Sequence, residues 1–139
     1  MSKTLPASPP FRLQLDLRSG VPVYRQIMDQ VLAAMASGRL ASGDQLPTVR
    51  QLAVDLSINP NTVIRAYREL EIRGFLDTHQ GSGTFIAAQR VKQEDGERQR
   101  KLDAIVSDSI ARAGAEGFTA KQVLDRLKEL LADQKTRRS

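Results

Sequence analysis

A short run of polar side chains between residues 59 and 68 carries the most recognisable chemistry in this 139-residue chain. Asn61, Arg65 and Arg68 form one row if the run is helical, because positions three and four apart share a helix face. Asparagine can pair with adenine through two hydrogen bonds, and arginine can pair with guanine in the same way. Thr62 can donate to a phosphate or pack against a thymine methyl. The row therefore predicts contact with DNA, with a purely solvated helix face as the alternative.

Two short helices joined by a tight turn are predicted to hold this row. Thr48 and Gln51 have the spacing of a capping box, in which the hydroxyl caps a backbone N–H and the amide returns to the cap residue. Asn59 suits the N-cap of the next helix, with Pro60 in its first turn, where a missing N–H costs nothing. We therefore expect a helix-turn-helix with its turn at Ser57-Ile58. Its apolar faces recur at helical spacing and comprise Val49, Leu52, Ala53, Leu56, Val63, Ala66, Tyr67 and Leu70.

A glycine-tipped hairpin follows directly. Gly74 is expected to end the second helix in a left-handed conformation. Strands are predicted at residues 75–80 and 84–86, and the Gly81-Ser82-Gly83 tip permits positive φ and close approach to a phosphate. A nucleotide-binding loop is disfavoured, because no Gly-Lys-Ser/Thr follows and no helix opens after the tip. His79 fits a phosphate contact or an ordinary polar strand position equally well. Helix, turn, helix and hairpin in this order predict a winged helix-turn-helix.

The segment from PVYRQIMDQV through NPNTVIRAYRELE to GSGTFI, residues 22–86, resembles the DNA-binding domain of the GntR family of bacterial transcription regulators. The NPNTVIRAYRELE run and the short C-terminal region are similar to the small YtrA-type subfamily. The resemblance implies DNA contacts at Arg50, around the start of the second helix, and at the wing tip. Many members of the family have arginine at the position of Pro60 and a basic residue at that of Ile64, so we expect a different operator here. The full set of predicted DNA-binding residues is Thr48, Arg50, Asn59, Asn61, Thr62, Arg65, Arg68, Gln80 and Gly81.

Composition narrows the class of protein. The chain has no cysteine and one histidine, and it has no nucleophile elbow or cluster of metal ligands. We therefore expect no enzyme, no metal and no cofactor. The net charge is +5, but six arginines balance six carboxylates over residues 22–87. The prediction of DNA binding thus depends on where the arginines point. No apolar run is long enough to span a membrane and no signal peptide is recognisable, so we expect a cytoplasmic protein without a membrane partner.

The residues before this module predict a tail, a strand and a long helix. Residues 1–10 contain three prolines and predict a flexible tail. Alternation of apolar and polar residues from Phe11 to Arg18 predicts a half-buried strand at the start of a DNA-binding domain spanning residues 11–87. The wing, the C-terminal helices or a second subunit could cover its apolar side. The first long helix is expected from Pro22 to Gly38, with a core stripe of Tyr24, Ile27, Met28, Val31, Leu32 and Met35.

Residues 88–139 predict a dimerisation region of two amphipathic helices. One helix is expected from Gln89 to about Ala113, broken at Gly96. The second follows an AGAEG loop and the capping box of Thr119 and Gln122, and it ends before a frayed basic tail, DQKTRRS. Two such helices cannot bury their apolar stripes alone, so we favour a two-fold homodimer over packing against the chain's own winged helix. The predicted interface comprises Leu102, Ile105, Val106, Ile110, Val123, Leu124, Leu127, Leu130 and Leu131.

Together these patterns predict a mainly α fold with a small β-hairpin, namely a winged helix-turn-helix plus a C-terminal two-helix dimerisation region. The expected function is repression from an inverted-repeat operator in double-stranded DNA, with half-sites about one helical turn apart. The alternative is a winged-helix protein-interaction module without sequence-specific DNA binding. We expect no dedicated effector domain, and whether an effector binds is left open. A ligand would act by shifting the geometry of the dimer.

Overall fold

A computed structural model describes residues 11–88 and 95–138, with side chains described for residues 11–88 and 96–133. The predicted tail at 1–10 and the predicted helical stretch at 89–94 lie outside these residues. The elements are α1 (Val23–Ala36), α2 (Val49–Leu56), α3 (Pro60–Ile72), β1 (Leu76–His79), β2 (Gly83–Ile86), α4 (Asp95–Ala115) and α5 (Ala120–Arg138). This mainly helical fold with one antiparallel hairpin is the predicted class. The chain divides into two compact units near residues 89 and 90. Within the described ranges, no helix is both long and apolar enough to cross a membrane.

In the first unit, α3 is the central element and packs against α1, α2 and β1. Its predicted stripe is buried, with Val63, Ala66 and Leu70 at 0% exposure. Ile27 of α1 is also fully buried in the same apolar cluster. Because α1 and α3 share this core, side chains at their outer edges keep a fixed spatial relation to each other.

The N-terminus of α2 is capped, but only half of the predicted capping box forms. Thr48 Oγ1 accepts a hydrogen bond from the backbone N–H of Gln51 at 3.0 Å. The return bond, from the Thr48 N–H to Gln51 Oε1, does not form among the described residues. The Gln51 side chain instead points along the helix, where its Nε2 donates to Asp55 Oδ1, one turn later, at 2.7 Å. The charged acceptor strengthens that bond and holds the side chain in this orientation.

The turn and both ends of α3 form as predicted. Ser57 takes a left-handed conformation with φ of 56°. Asn59 Oδ1 caps the helix by accepting from the N–H of Asn61 at 2.8 Å, and Pro60 occupies the first helical position. Gly74, with φ of 85°, follows the last turn. These local features orient α3 between the turn and the wing.

The segment predicted as a strand at residues 11–18 is not a strand: a turn begins at residue 17, and residues 11–16 pair with no strand in the described part of the chain. Phe11 is buried, and Leu13 and Leu15 are half-buried against the core of the first unit. Leu17 lies in the turn and is 80% exposed. The sequence left open what covers the apolar side of this segment. In the structure, that side packs against the core of the first unit.

Two glutamines of α1 replace the missing strand partner. Gln30 accepts from the N–H of Gln14 at 3.0 Å and donates to its carbonyl at 2.6 Å. Gln26 does the same for Asp16, at 2.8 and 2.9 Å, and also donates to Val21 O. Four helical residues rise about 6 Å, which matches about 6.6 Å for two residues of extended chain. Helix side chains therefore satisfy the backbone of residues 14 and 16.

The second unit consists of α4 and α5, with three departures from the predicted bounds. Gly96 lies inside α4, and the helix runs on to Ala115 through most of the predicted loop. At the other end, α5 extends to Arg138, so the predicted frayed tail is helical. The second capping box is complete, since Gln122 N–H donates to Thr119 Oγ1 at 3.1 Å and Gln122 Oε1 accepts from Thr119 N–H at 2.8 Å.

Candidate nucleic-acid interface

The outer face of α3 brings the predicted row together. Asn61, Arg65 and Arg68 are exposed and surround a shallow concavity of about 420 Å³ with Ile64 and Glu69. This follows from the burial of the opposite stripe, because a helix that buries one face presents the other to solvent. An amide and two guanidinium groups thus lie side by side on one accessible face.

The cations of this region are available for an external anion. Among the described residues, Arg50, Arg65 and Arg68 form no ion pair. By contrast, Arg73 at the end of α3 lies 3.6 Å from Glu69. Unpaired arginines on α2 and α3 suit contact with phosphate or with base edges, since each presents five N–H donors in a planar fork.

The residues at the two helix N-termini have part of their hydrogen-bonding capacity in use. Thr48 and Asn59 each accept from their own helix through a side-chain oxygen. The hydroxyl hydrogen of Thr48 and the amide NH₂ of Asn59 remain as donors, which suit an acceptor such as a phosphate oxygen. Thr62 is half-buried in the first turn of α3. These three residues cap or pack locally, and their contact with DNA stays a prediction.

Tyr24 touches the predicted interface, which the sequence pattern did not reveal. The Cζ of Arg65 lies 3.8 Å from the centroid of the Tyr24 ring. Tyr24 was assigned to the core stripe of α1, and it does pack against the core, but only half-buried. Because the two residues lie far apart in sequence, only the packing of α1 on α3 brings them together.

The wing forms where predicted, although β1 is one residue shorter at each end than the predicted 75–80 and β2 already begins at Gly83. Residues Leu76 and Ile86 pair at its base, and His79 and Gly83 pair next to the tip. Gln80 and Gly81 are exposed in the turn between the strands. The wing tip therefore presents polar side chains and backbone to solvent, as a contact with a phosphate backbone requires.

Gln45 anchors the wing tip and was missed in the sequence, because it lies in a loop without periodic pattern. Its backbone pairs with Phe85, and its Nε2 donates to Ser82 O at 3.0 Å. Gly83 has φ of 124°, and a Cβ added there would lie 2.5 Å from Gln45 Nε2. A side chain at this position would thus displace the anchor as well as strain the backbone.

Tyr67 ties α3 to the start of α2. Its hydroxyl donates to Pro47 O at 2.8 Å, from a side chain that is 7% exposed. Burial raises the pKa of the Tyr67 hydroxyl well above its ordinary value, because the charged phenolate would lose its hydration. The phenol therefore stays neutral and holds the two helices of the helix-turn-helix in register.

In the second unit, seven of the nine predicted dimer-interface residues line an open apolar groove, and Leu102 and Leu131 lie outside it. Its volume is about 790 Å³, and both helices contribute to its walls. Eight of the nine predicted interface residues are more than 40% exposed, and Val123 is half-buried. Those eight are Leu102, Ile105, Val106, Ile110, Leu124, Leu127, Leu130 and Leu131.

Comparison with known proteins gives matches to the helix-turn-helix and wing and to most of the chain. A family profile described as bacterial regulatory proteins, gntR family, matches residues 23–86. The HTH-type transcriptional repressor YtrA of Bacillus subtilis is 34% identical over 123 residues, which cover 88% of this chain and 95% of the relative. The helix-turn-helix, the wing and most of the two-helix unit therefore have counterparts in one small protein.

Solved structures give a similar result. YtrA from Sulfolobus acidocaldarius, a GntR-family transcription factor, superposes with a TM-score of 0.54 at 32% identity, covering 71% of this chain and 97% of that one. A transcriptional antiterminator from Listeria monocytogenes superposes with a TM-score of 0.63 at 27% identity, covering 88% and 92%.

Proposed function

This chain belongs to the GntR family of bacterial regulatory proteins and is similar to its YtrA members, and we propose that it represses transcription as a homodimer bound to an inverted-repeat operator. The observation that carries the proposal is the exposed row on α3, where Asn61, Arg65 and Arg68 lie together and neither arginine has an ion-pair partner among the described residues. We further propose that the protein acts in the cytoplasm, where its operator would be, and has no catalytic activity of its own.

We propose that α3 enters the major groove and that the wing and α2 contact the flanking backbone. The first turns of α3 carry the amide and guanidinium groups that can read base edges. Arg50 on α2 and the tip residues Gln80 and Gly81 supply donors suited to phosphates. The DNA-binding domain would thus span residues 11–87.

We propose that residues 88–139 form the dimerisation region and that a second copy of this chain covers the apolar groove. Eight large apolar side chains that are each more than 40% exposed form a patch that a monomer would leave in water. A two-fold interface presents the same patch from both copies, so one set of residues covers itself. The symmetry would also match the inverted repeat of the operator.

Selection of binding sites from a random duplex DNA pool at physiological salt tests the proposal. We expect an inverted repeat with fixed spacing. Recovery of a single half-site would contradict the dimer. A pool without any motif would contradict operator binding and favour a protein-interaction module.

Arg65→Ala then tests the contribution of α3 to the recovered site. We expect a loss of about 1–3 kcal/mol in binding free energy, with relaxed preference at one base pair if Arg65 reads a base. A loss that is uniform across DNA sequences would make Arg65 a phosphate contact. Arg73→Ala is the matched control, because Arg73 lies at the far end of the same helix and is paired with Glu69. Unchanged binding by Arg65→Ala would exclude Arg65 from the interface.

A further inference from the structure

We propose that Tyr24 is a positioning residue for DNA recognition, because its ring holds the Arg65 guanidinium in place on α3. The inference rests on the proposed function, since it assigns how one DNA-contacting side chain is oriented. The distance of 3.8 Å from Arg65 Cζ to the ring centroid is that of a stacked contact. A guanidinium that stacks through its face keeps its N–H donors free along its edge.

The platform is rigid because α1 is packed against α3. Ile27, one turn after Tyr24, is fully buried, and so is Ala66, the neighbour of Arg65. Rotation of the Tyr24 ring away from α3 would give up its packing against this shared core. Tyr24 itself is half-buried and packs against the same cluster. The ring is therefore held by the fold, while Arg65 remains exposed.

No competing partner draws Arg65 away from the ring. In the described part of the chain, Arg65 forms no ion pair, and Glu69, one turn later on α3, is paired to Arg73 instead. An arginine without such a platform samples many rotamers, and fixing it on binding costs conformational entropy. The Tyr24 ring restricts that sampling before DNA arrives, which favours binding through preorganisation.

The stack can be detected without DNA. An aromatic ring shifts the NMR resonances of nuclei above its face, so the side-chain protons of Arg65 should resonate upfield in the full-length protein. We expect the shift to persist in Tyr24→Phe and to vanish in Tyr24→Leu. Arg65 protons at ordinary shifts in the wild-type protein would overturn the proposal, whatever the protein does with DNA.

A double-mutant cycle tests the effect on recognition, with the operator obtained by site selection as the probe. We expect Tyr24→Leu to weaken binding about two- to fivefold, the range of an exposed cation–π contact, and Tyr24→Phe to bind like wild type. In the Arg65→Ala background, Tyr24→Leu should have no further effect, because the side chain that it positions is absent. Tyr24→Leu should also show the pattern of Arg65→Ala, whether that is relaxed preference at one base pair or a uniform loss.

Met35→Ala controls for a general loss of stability, because Met35 is half-buried near the other end of α1. We expect it to lower the melting temperature without energetic coupling to Arg65→Ala. If Tyr24→Leu lowered operator affinity equally with and without Arg65, the positioning role would be wrong while the proposed function would stand. The same conclusion would follow if Tyr24→Phe bound the operator as weakly as Tyr24→Leu. If the wild-type protein bound no specific site, both the proposed function and this inference would be wrong.

Discussion

The two units of this chain differ in how far their large apolar side chains are exposed to solvent. In the first unit, Ile27, Val63 and Leu70 are at 0% exposure. In the second, Ile105 is 62% exposed and Leu127 is 51% exposed. At about 25 cal/mol per Å² of buried apolar surface, the first arrangement stabilises its own fold, whereas the exposed side chains of the second contribute little of this free energy within one chain. The proposed homodimer would bury them and recover it.

The polar contacts differ between the units as well. In the first unit, Gln26 and Gln30 bind the backbone of a distant segment, which ties tertiary structure together. In the second, the ion pairs are local, such as Lys121 with Asp125 at 2.9 Å. Pairs one turn apart stabilise a helix by only about 0.2–0.5 kcal/mol each. Local pairs of this size support helices but do not replace a core.

The largest expected effect comes from charge placed in the apolar groove. Ile105→Glu combined with Leu127→Glu should yield a monomer, because an interface of apolar residues would then bury unpaired carboxylates. A monomer would lack the winged helix of the partner copy, so its operator affinity should be about 10²- to 10⁴-fold lower. Analytical ultracentrifugation and operator titration measure the two consequences.

Leu17→Glu is the control for that experiment, since Leu17 is 80% exposed in the first unit. It should change neither the oligomeric state nor operator affinity. A double variant that remained dimeric with full affinity would show that the groove is not the interface, and the two units would then not differ in the way proposed.

Truncation of a leucine in each unit sharpens the comparison further. Leu70→Ala should destabilise the first unit by about 2–5 kcal/mol, because Leu70 is fully buried and its loss leaves a cavity. That cost should not depend on protein concentration. Leu127→Ala should instead weaken association, so its effect on melting should grow on dilution. Calorimetry at two protein concentrations distinguishes the cases, and equal concentration dependence for both would remove the distinction.

Much of the first unit could be predicted because its signals are local. The cap at Asn59 with Pro60 and the glycine tip of the wing act on their immediate neighbours, and the stripe of α3 repeats at helical spacing. The side chain of Gln51 shows the limit, because the capping-box spacing did not reveal that it would turn along the helix and donate to Asp55.

Apart from Gln51 with Asp55, the missed contacts join residues ten or more positions apart in sequence. Alternation at residues 11–18 predicted a strand, yet the backbone of this segment bonds to two glutamine side chains on α1. Tyr24 under Arg65 and Gln45 beneath the wing tip also depend on how elements pack. In the second unit, the helices extend through the predicted loop and tail, since alanine, lysine and arginine favour helix where no core opposes it.

A smaller effect on stability is expected at Tyr67, in the first unit. Tyr67→Phe removes the hydrogen bond to Pro47 O and should cost about 1 kcal/mol. The folded-state pKa of Tyr67 is raised above its ordinary value of 10.0, so its contribution is fully present below pH 10 and is lost as pH rises further.

The matching measurement is thermal melting between pH 8 and about pH 11. The wild-type first unit should lose stability more steeply above pH 10 than the Phe variant, because only the wild type has this buried phenol to ionise. Parallel curves for the two proteins would show that Tyr67 does not couple ionisation to folding.

The smallest effect is expected at Ser57, whose φ of 56° places a non-glycine residue in the left-handed region. Ser57→Gly should stabilise the first unit by about 0.5–1 kcal/mol, because glycine adopts this conformation without steric cost, less the added entropy of the unfolded chain. The reverse change, Gly74→Ser at φ of 85°, should destabilise it by a similar amount. Both changes should shift the melting temperature of the first unit by a few degrees while leaving the dimer dissociation constant unchanged. If Ser57→Gly altered that constant, the turn of the first unit would contribute to association, and the division between a self-sufficient unit and a partner-dependent one would have to be redrawn.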